Sequence, residues 1–229
     1  MTGLGVIRNL GRNGVDVYCI LDKKDEAVYS KYCKKYFIVP EISQNKEKLK
    51  IFLTKLQSQL NHKAVLFPTS DLHALNVSNL KNETDSYLIP IADRKVLETL
   101  IEKKKFYQSL NRKGIPHPTT YFPENVRDCT KTKKRLLYPV FIKPSMSQTF
   151  SRAFGKKGFV ANSEEELLKY MKITEKHGID PMIQEIIPGP PTNHYFIDGY
   201  LDKNSRPVAL FARRRLRMWP LNFGNSTAC

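Results

Sequence analysis

A lysine at the end of an apolar run, with hydroxyl side chains behind it, is the first feature that could do chemistry. In YPVFIKPSMSQTFSRAFGKKGFV, residues 138–160, an apolar strand is predicted to end at Lys143. The hydroxyl residues that follow are Ser145, Ser147, Thr149 and Ser151. An ammonium group beside small hydrogen-bond donors suits a phosphate, so the segment is predicted to handle phosphate. The alternative is a surface lysine whose aliphatic stem covers a strand end.

A cluster of fixed positive charge, RRRLR at residues 213–217, is the second such feature. On a strand, Arg213, Arg215 and Arg217 share one face because side chains alternate, and Arg214 lies on the other. A shift of one residue in register would exchange these faces. The stretch is also compatible with a charged guard on an exposed sheet edge.

The whole chain is strongly basic, with 38 Lys and Arg against 22 Asp and Glu and a formal charge of +16. This excess favours a polyanionic partner such as nucleic acid, a membrane or a nucleotide phosphate. Most lysines are spread over many segments, as expected of solvated surfaces, and only residues 213–217 combine dense charge with alternating apolar residues. The charge alone therefore does not single out one partner.

Length and composition predict a soluble, globular, cytoplasmic protein. No run approaches about eighteen consecutive apolar residues, and the first residues lack the apolar core of a secretory leader. The four cysteines form no C-x-x-C pair, so we expect reduced, mostly buried thiols rather than a zinc site or a disulfide framework. They are Cys19, Cys33, Cys129 and Cys229.

Residues 1–91 are predicted to form an incomplete α/β domain with a parallel sheet, because apolar strands alternate with amphipathic helices. Gly3 and Gly5 follow the initiator methionine directly, where a doubly wound domain would first have a strand. Arg8 stands in place of the third glycine of G-x-G-x-x-G, so a dinucleotide site is not favoured. We expect that the first strand is missing.

Residues 92–229 are predicted to form an α+β domain with antiparallel strand pairs. One or two helices end at Gly114, and a proline-punctuated link leads to the strand that carries the lysine described above. Ser163 and Glu166 form a capping box at the start of a later helix. After that helix, a buried strand is predicted in residues 181–189. Two long strands, at roughly 194–202 and 206–218, are then predicted to form a hairpin.

An ordered series of motifs runs along the chain. The series begins with Lys103 near a helix start and a Gly-Ile-Pro-x-Pro turn. It continues with Lys143 at a strand end, a loop of small residues, and QEIIPG on a later strand. In that order they resemble the ATP-grasp superfamily, and within it the carboxylate-amine ligases. The domain that precedes the grasp domain in this superfamily resembles two stretches here, GLGVIRNLGRNGVDVYCI and SKYCKKYFIVP. The leading helix of the grasp domain resembles KKKFYQSLNRKGIPHPTT, and its basic strand resembles RRRLRMWPLNFGNSTA.

The resemblance implies that the chain binds ATP through its phosphates. The implied phosphate ligands are Lys103, Lys143, Ser145 and Ser147. Lys104 and Lys105 compete with the first of these lysines for its position. Residues 145–158 would form a flap over the phosphates, in which hydroxyl groups take the place of several glycines found in relatives.

The segment QEIIPG, residues 184–189, resembles the hinge that holds adenine. It begins with Gln184, and the backbone groups of Glu185 and Ile187 would bond the edge of the purine. Asn193 would contact the ribose, where an acidic residue is often found in relatives. The alternative is an ordinary buried strand followed by a turn.

The resemblance also implies a catalytic role for the basic strand. Arg213, Arg215 and Arg217 would stabilise the transferred phosphoryl group or the acyl phosphate. In the superfamily, Mg²⁺ is held by an acidic residue and a Glu-x-Asn pair that follow this strand. Because the sequence has no Asp or Glu after Asp202, no metal ligand is predicted within it, and the Mg²⁺ ligands are expected beyond Cys229.

The function implied is ATP-dependent ligation of a carboxylate to an amine through an acyl phosphate, in a chain shortened at both ends. The partners would be ATP and small carboxylate and amine substrates, with weak nucleotide binding and no turnover by this chain alone. Two alternatives stay open, a basic nucleic-acid-binding protein and a non-catalytic relative with the same fold. Against nucleic acid, the sequence has no recognition-helix motif, zinc knuckle or aromatic-rich platform.

Overall fold

A computed structural model describes residues 2–132, 136–145, 150, 153–221 and 224–229. The chain divides into two compact units, residues 1–109 and 110–229. The domain boundary near residue 91 inferred from sequence lies within the first of these units and stays a prediction. In the described residues no helix is both long and apolar enough to cross a bilayer.

The first unit alternates helices and strands. Its elements are α1 (Thr2–Arg12), β1 (Val17–Leu21), β2 (Cys33–Ile38), α2 (Lys46–Gln57), β3 (Ala64–Val65), α3 (Asp71–Leu80), β4 (Tyr87–Leu88) and α4 (Arg94–Ile101), with α5 (Lys103–Arg112) at the boundary. β1 pairs with β2 and β3 pairs with β4, both in parallel. The predicted parallel pairing is therefore confirmed, and it occurs in two separate pairs.

Local signals in the sequence explain where the helices of this unit begin. The Asn45 side chain accepts a hydrogen bond from the backbone N–H of Lys48 at the start of α2. The Ser70 side chain does the same for the backbone N–H of His73 at the start of α3. Each cap satisfies one of the backbone donors that the first turn of a helix leaves without an intrahelical partner.

Helix α1 packs closely on the chain that precedes β2. Ile7 on α1 is buried, and a side-chain carbon placed on Gly11 would lie 2.4 Å from the Cβ of Tyr32. No larger residue fits at position 11 without displacing the Tyr32 backbone or ring. A glycine at position 11 is therefore needed for this packing.

The second unit contains an antiparallel sheet covered by helices. Its elements are β5 (Thr120–Tyr121), α6 (Val126–Thr132), β6 (Val140–Pro144), β7 (Phe159–Ala161), α7 (Glu164–Lys176), β8 (Pro181–Glu185), β9 (Tyr195–Leu201), β10 (Pro207–Arg214), β11 (Arg217–Trp219) and β12 (Asn225–Ala228). Four of these strands form one sheet in the order β5-β8-β6-β7, and every pairing in it is antiparallel. The predicted antiparallel character is confirmed.

Helix α7 begins at the predicted capping residues. The Ser163 hydroxyl accepts from the backbone N–H of Glu166, and the Glu166 carboxylate accepts from the backbone N–H of Asn162, one residue before the cap. From this start, Leu167 and Met171 point into the core. They pack there with residues of the sheet, which are Val140, Ile142, Ala161 and Ile183.

The long strand expected at residues 206–218 is wrong in its extent. β10 pairs with β9 and ends at Arg214, and β11 begins at Arg217 in a different sheet with β12. The backbone N–H of Arg215 donates to His194, whereas that of Leu216 donates to Ala228, so the chain changes sheets between these two residues. The alternation of RRRLR fits one strand and two strands equally well, which is why it did not reveal the break.

Candidate functional site

The two faces of the four-stranded sheet differ in chemistry, because side chains alternate along each strand. Val140, Ile142 and Ile183 point to the core under α6 and α7. Lys143 is one residue out of phase with Ile142, and Gln184 lies opposite Phe141 in the ladder between β6 and β8. Lys143 and Gln184 therefore share the face that points away from the helices.

A hydrogen-bond chain on this face holds the Lys143 ammonium group in place. Lys143 Nζ donates to Oε1 of Gln184 over 2.6 Å, and Nε2 of Gln184 donates to the Thr120 hydroxyl over 2.8 Å. The Thr120 hydroxyl in turn donates to the carbonyl of Pro118 over 2.7 Å. The chain crosses β6, β8 and β5, and Gln184 is only 7% exposed. A lysine held in this way is better placed than a mobile surface lysine to meet a fixed anion.

Ser145 follows β6 and carries a buried hydroxyl group. Its backbone N–H donates to the carbonyl of Asp180 over 3.1 Å. Its Oγ is buried and has no hydrogen-bond partner among the residues that the structure describes. A buried hydroxyl without a partner costs about 1 to 3 kcal/mol, so this position favours a ligand that supplies one.

The segment predicted as a phosphate flap is described only in part. Ser147, Thr149 and Ser151 lie outside the described residues, so their phosphate contacts stay a prediction. Phe150 is fully buried, and its ring lies 4.8 Å from that of Phe154 and 4.9 Å from that of Phe159 at the start of β7. Sequence reasoning missed this aromatic anchor, although two phenylalanines four residues apart in a polar stretch were its signal.

The predicted adenine hinge lies where β8 ends. Ile183 is buried, as expected, whereas Ile187 is 63% exposed. The backbone N–H of Glu185 donates to the carbonyl of Thr119, so the carbonyl of Glu185 is the backbone group that remains for a purine. Asn193 is exposed at the end of a 3₁₀ helix. Purine contact by Glu185 and Ile187, and ribose contact by Asn193, stay predictions.

The arginines of the basic segment do not share one face of one strand, which corrects the sequence-based expectation. Arg213 pairs with Asp198 through Nε over 2.6 Å, and Arg214 donates to the carbonyl of Thr192. The hydrogen bond from Arg213 lowers the pKa of the Asp198 carboxyl below its usual value. Arg217 is exposed at the start of β11.

Arg215 is the arginine that this fold buries, with 8% of its surface exposed. Its Nε donates to the Ser226 hydroxyl over 2.8 Å, and its guanidinium carbon lies 5.4 Å from the centre of the Phe196 ring. In the described part of the chain no carboxylate comes within ion-pairing distance of it. A buried cation without a counter-charge is costly, so the arrangement favours an anionic ligand at Arg215.

Lys103 begins α5, close to the helix start at which it was predicted. Lys105, one of its competitors, forms an ion pair with Glu102 over 2.6 Å. Lys103 lies in the first unit and Lys143 in the second. Their convergence on one triphosphate stays a prediction.

The four cysteines are free thiols in this structure. Cys19 and Cys129 are buried, Cys33 is half-buried and Cys229 is exposed. Across the described ranges, no group of three or more His, Cys, Asp or Glu side chains is placed to hold a metal ion.

Comparison with known proteins gives relatives in sequence and in structure. No protein-family profile matches the chain. A D-aspartate ligase from Enterococcus faecium (strain Aus0004) is 28% identical over 156 residues, which is 64% of this chain and 37% of that protein. An N5-carboxyaminoimidazole ribonucleotide synthetase from Thermus thermophilus superposes with a TM-score of 0.69 at 13% identity, over 96% of this chain and 53% of that one.

Two further solved structures share the fold. An N5-carboxyaminoimidazole synthetase from Staphylococcus aureus in complex with ADP gives a TM-score of 0.66 at 14% identity, over 94% of this chain and 52% of that one. An L-amino acid ligase from Bacillus licheniformis gives 0.61 at 15% identity, over 93% and 48%. The chain thus spans about half the length of these solved relatives and 37% of the curated ligase.

Proposed function

We propose that this chain, which has the fold of the ATP-grasp carboxylate-amine ligases, provides the nucleotide-binding part of such a ligase. ATP would bind with its phosphates on the face of the sheet that carries Lys143. A carboxylate would then take the terminal phosphoryl group to form an acyl phosphate and ADP. An amine would displace phosphate from the acyl carbon to give an amide.

The observation that carries this proposal is the hydrogen-bond chain from Lys143 through Gln184 to Thr120. It fixes one ammonium group on the face of the sheet that points away from α6 and α7, and the Ser145 hydroxyl, which has no partner among the described residues, follows on the same strand end. A charge-assisted hydrogen bond to a phosphate oxygen is roughly twice as strong as a neutral one. A triphosphate supplies acceptors for both groups.

Arg215 is the residue we propose for the reacting anion. Its guanidinium is buried, positively charged and oriented by Ser226. Such a group stabilises charge that develops on a transferred phosphoryl group or on an acyl phosphate. Of the three arginines predicted to act in catalysis, Arg215 is the buried one that has no carboxylate partner among the described residues.

The chain's own described residues do not fit a Mg²⁺ site. Magnesium binds through carboxylate oxygens, and no suitable cluster is present among the described side chains. The sequence after Asp202 supplies no carboxylate side chain at all. A Mg²⁺ ion bound beside the phosphates would therefore need ligands that the described residues do not supply.

Titration calorimetry with ATP tests the proposal. We expect saturable binding that Lys143→Met weakens by about tenfold or more, since about 1.4 kcal/mol is lost with each tenfold. Lys172→Met is the matched control, because Lys172 is exposed on α7 and lies on the other side of the sheet. Absence of saturable binding, or an equal loss in both variants, would contradict the proposal.

A further inference from the structure

Two of the four cysteines lie side by side in the first unit. Cys19 is in the middle of β1 and Cys33 begins β2, and their Sγ atoms are 3.3 Å apart. Val17 pairs with Cys33 in the parallel ladder, and side chains alternate along a strand, so Cys19 and Cys33 point to the same face of the strand pair. Both thiols pack there with Ile7 of α1. They are in direct contact although 14 positions separate them along the chain.

The surroundings of the two thiols leave room for the movement that a bond between them requires. A disulfide is about 2.05 Å long, so the sulfur atoms would have to approach by about 1.3 Å. Cys19 borders a cavity of about 1260 Å³ within the first unit, so packing does not hold its side chain on every side. Cys33 begins its strand, and the ladder slips by one residue directly after it, because Lys35 rather than Lys34 pairs with Tyr18. Such a bulge disrupts the ladder locally, so the backbone at Cys33 is held less tightly than the rest of β2.

The two thiols differ in access and in acidity. Cys33 is half-buried, whereas Cys19 is buried. Burial, followed by the hydrogen bond from Cys33, raises the pKa of the Cys19 thiol above its usual value. The thiolate is the nucleophile in thiol–disulfide exchange. Cys33 should therefore react first with a reagent from solution, and Cys19 second.

We propose that Cys19 and Cys33 form a modification site, at which a small-molecule disulfide converts the two thiols into one intramolecular disulfide. The Cys33 thiolate attacks one sulfur of the reagent R–S–S–R, whose S–S bond breaks, and R–S⁻ leaves and takes up the proton that Cys33 lost. The Cys19 thiolate then attacks the Cys33 sulfur of the mixed disulfide and expels the second R–S⁻, which takes up the proton of Cys19. Two thiols of the chain are oxidised, and one reagent molecule is reduced to two molecules of R–SH.

The new bond would tie β2 to β1. It closes a loop over residues 19–33, which contains the 3₁₀ turn Glu26–Tyr29. A disulfide restricts the opened chain and so disfavours separation of the two strands. Amide hydrogen exchange in β2 should therefore slow by about tenfold or more on oxidation, and excess thiol should restore the original rate. Unchanged exchange in β2 would contradict this part of the proposal.

Reaction of the full-length Cys229→Ser variant with oxidised glutathione, followed by peptide mass spectrometry, tests the proposal. The substitution removes the exposed thiol, which would also react. We expect the peptides that contain Cys19 and Cys33 to be joined by a disulfide in most of the protein, and excess dithiothreitol to separate them. Cys129 is the internal reference, because it is fully buried and should stay unmodified unless the chain unfolds.

Two matched variants in the same background, Cys19→Ala and Cys33→Ala, test the order of the steps. Cys19→Ala should stop at a mixed disulfide on Cys33, and Cys33→Ala should react at Cys19 at least about tenfold more slowly. Unreacted thiols, glutathione on both cysteines, or a bond formed only between two chains would overturn the proposal. Equally fast reaction of Cys129 would do so as well, because it would show that the unfolded chain is the species oxidised.

Discussion

The parallel strand pairs of the first unit and the four-stranded sheet of the second differ in continuity, and the packing beneath them differs accordingly. In the second unit one four-stranded ladder covers a single cluster in which Val140, Ile142 and Ile183 are at most 1% exposed. In the first unit two separate ladders accompany two clusters and a large cavity. The comparison indicates that a closed core depends on an unbroken ladder as much as on apolar side chains, which both units have.

The largest difference in stability between the two units is expected when a core side chain is truncated to alanine. Ile142→Ala should destabilise the second unit by about 3 to 5 kcal/mol, because it leaves a new cavity in a well-packed core. Leu53→Ala should cost the first unit less, about 2 to 3 kcal/mol, since this side chain already borders the cavity. Urea unfolding followed by peptide-resolved hydrogen exchange measures each unit separately.

The control for this comparison is Ile51→Ala, because Ile51 is 70% exposed on α2. It should change the free energy of unfolding by no more than about 0.5 kcal/mol. Equal costs for Ile142→Ala and Leu53→Ala would show that the core of the first unit is as well packed as that of the second.

A smaller effect is expected on ligand binding when the lysine loses its positioning partner. Gln184→Leu keeps the side-chain volume but removes the acceptor for Lys143, and should weaken ATP binding about fivefold, less than removal of the lysine itself. Thr120→Val, one bond further along the chain, should have a smaller effect still. Lower stability with unchanged ATP affinity would limit Gln184 to a structural role.

Residues that act locally were predictable, and residues that act through distant pairing were not. The cap at Ser163 and Glu166 is fixed within four positions, so the sequence revealed it. The partner of Lys143 is 41 positions away, and only the ladder between β6 and β8 brings Gln184 to it. The burial of Arg215 likewise depends on Ser226 in another sheet.

The free energy of unfolding of the first unit should fall at alkaline pH, because its Tyr87 phenol is buried. Burial raises the pKa of Tyr87 to about 12, and its hydroxyl donates to the carbonyl of Leu53. Because the unfolded pKa is about 10, this contribution is complete below pH 10 and is lost as the pH rises from 10 towards 12. The loss reaches up to about 1.4 kcal/mol per pH unit.

Tyr87→Phe removes both the hydrogen bond and this titration. Near pH 8 the variant should be less stable than the natural chain by about 1 kcal/mol, and the difference should shrink between pH 10 and 11. Urea midpoints at these pH values measure it. A difference that stays constant with pH would mean that Tyr87 ionises as easily in the folded chain as in the unfolded one.

The smallest effects on stability are expected from removal of the helix caps, and they should be equal in the two units. Ser70→Ala and Ser163→Ala each remove a hydroxyl that accepts a backbone N–H at a helix start, and each should cost about 1 kcal/mol. Because a cap acts within one helical turn, sheet continuity should not alter its value. A cost confined to one of the two helices, read from thermal unfolding, would show that the cap depends on its unit.

The central claim is that the Lys143 face of the four-stranded sheet binds the phosphates of ATP, and a crystal structure with ADP tests it most directly. We expect a phosphate oxygen about 3 Å from Nζ of Lys143 and another at a similar distance from Oγ of Ser145. Ordered ADP that contacts neither atom would contradict the account.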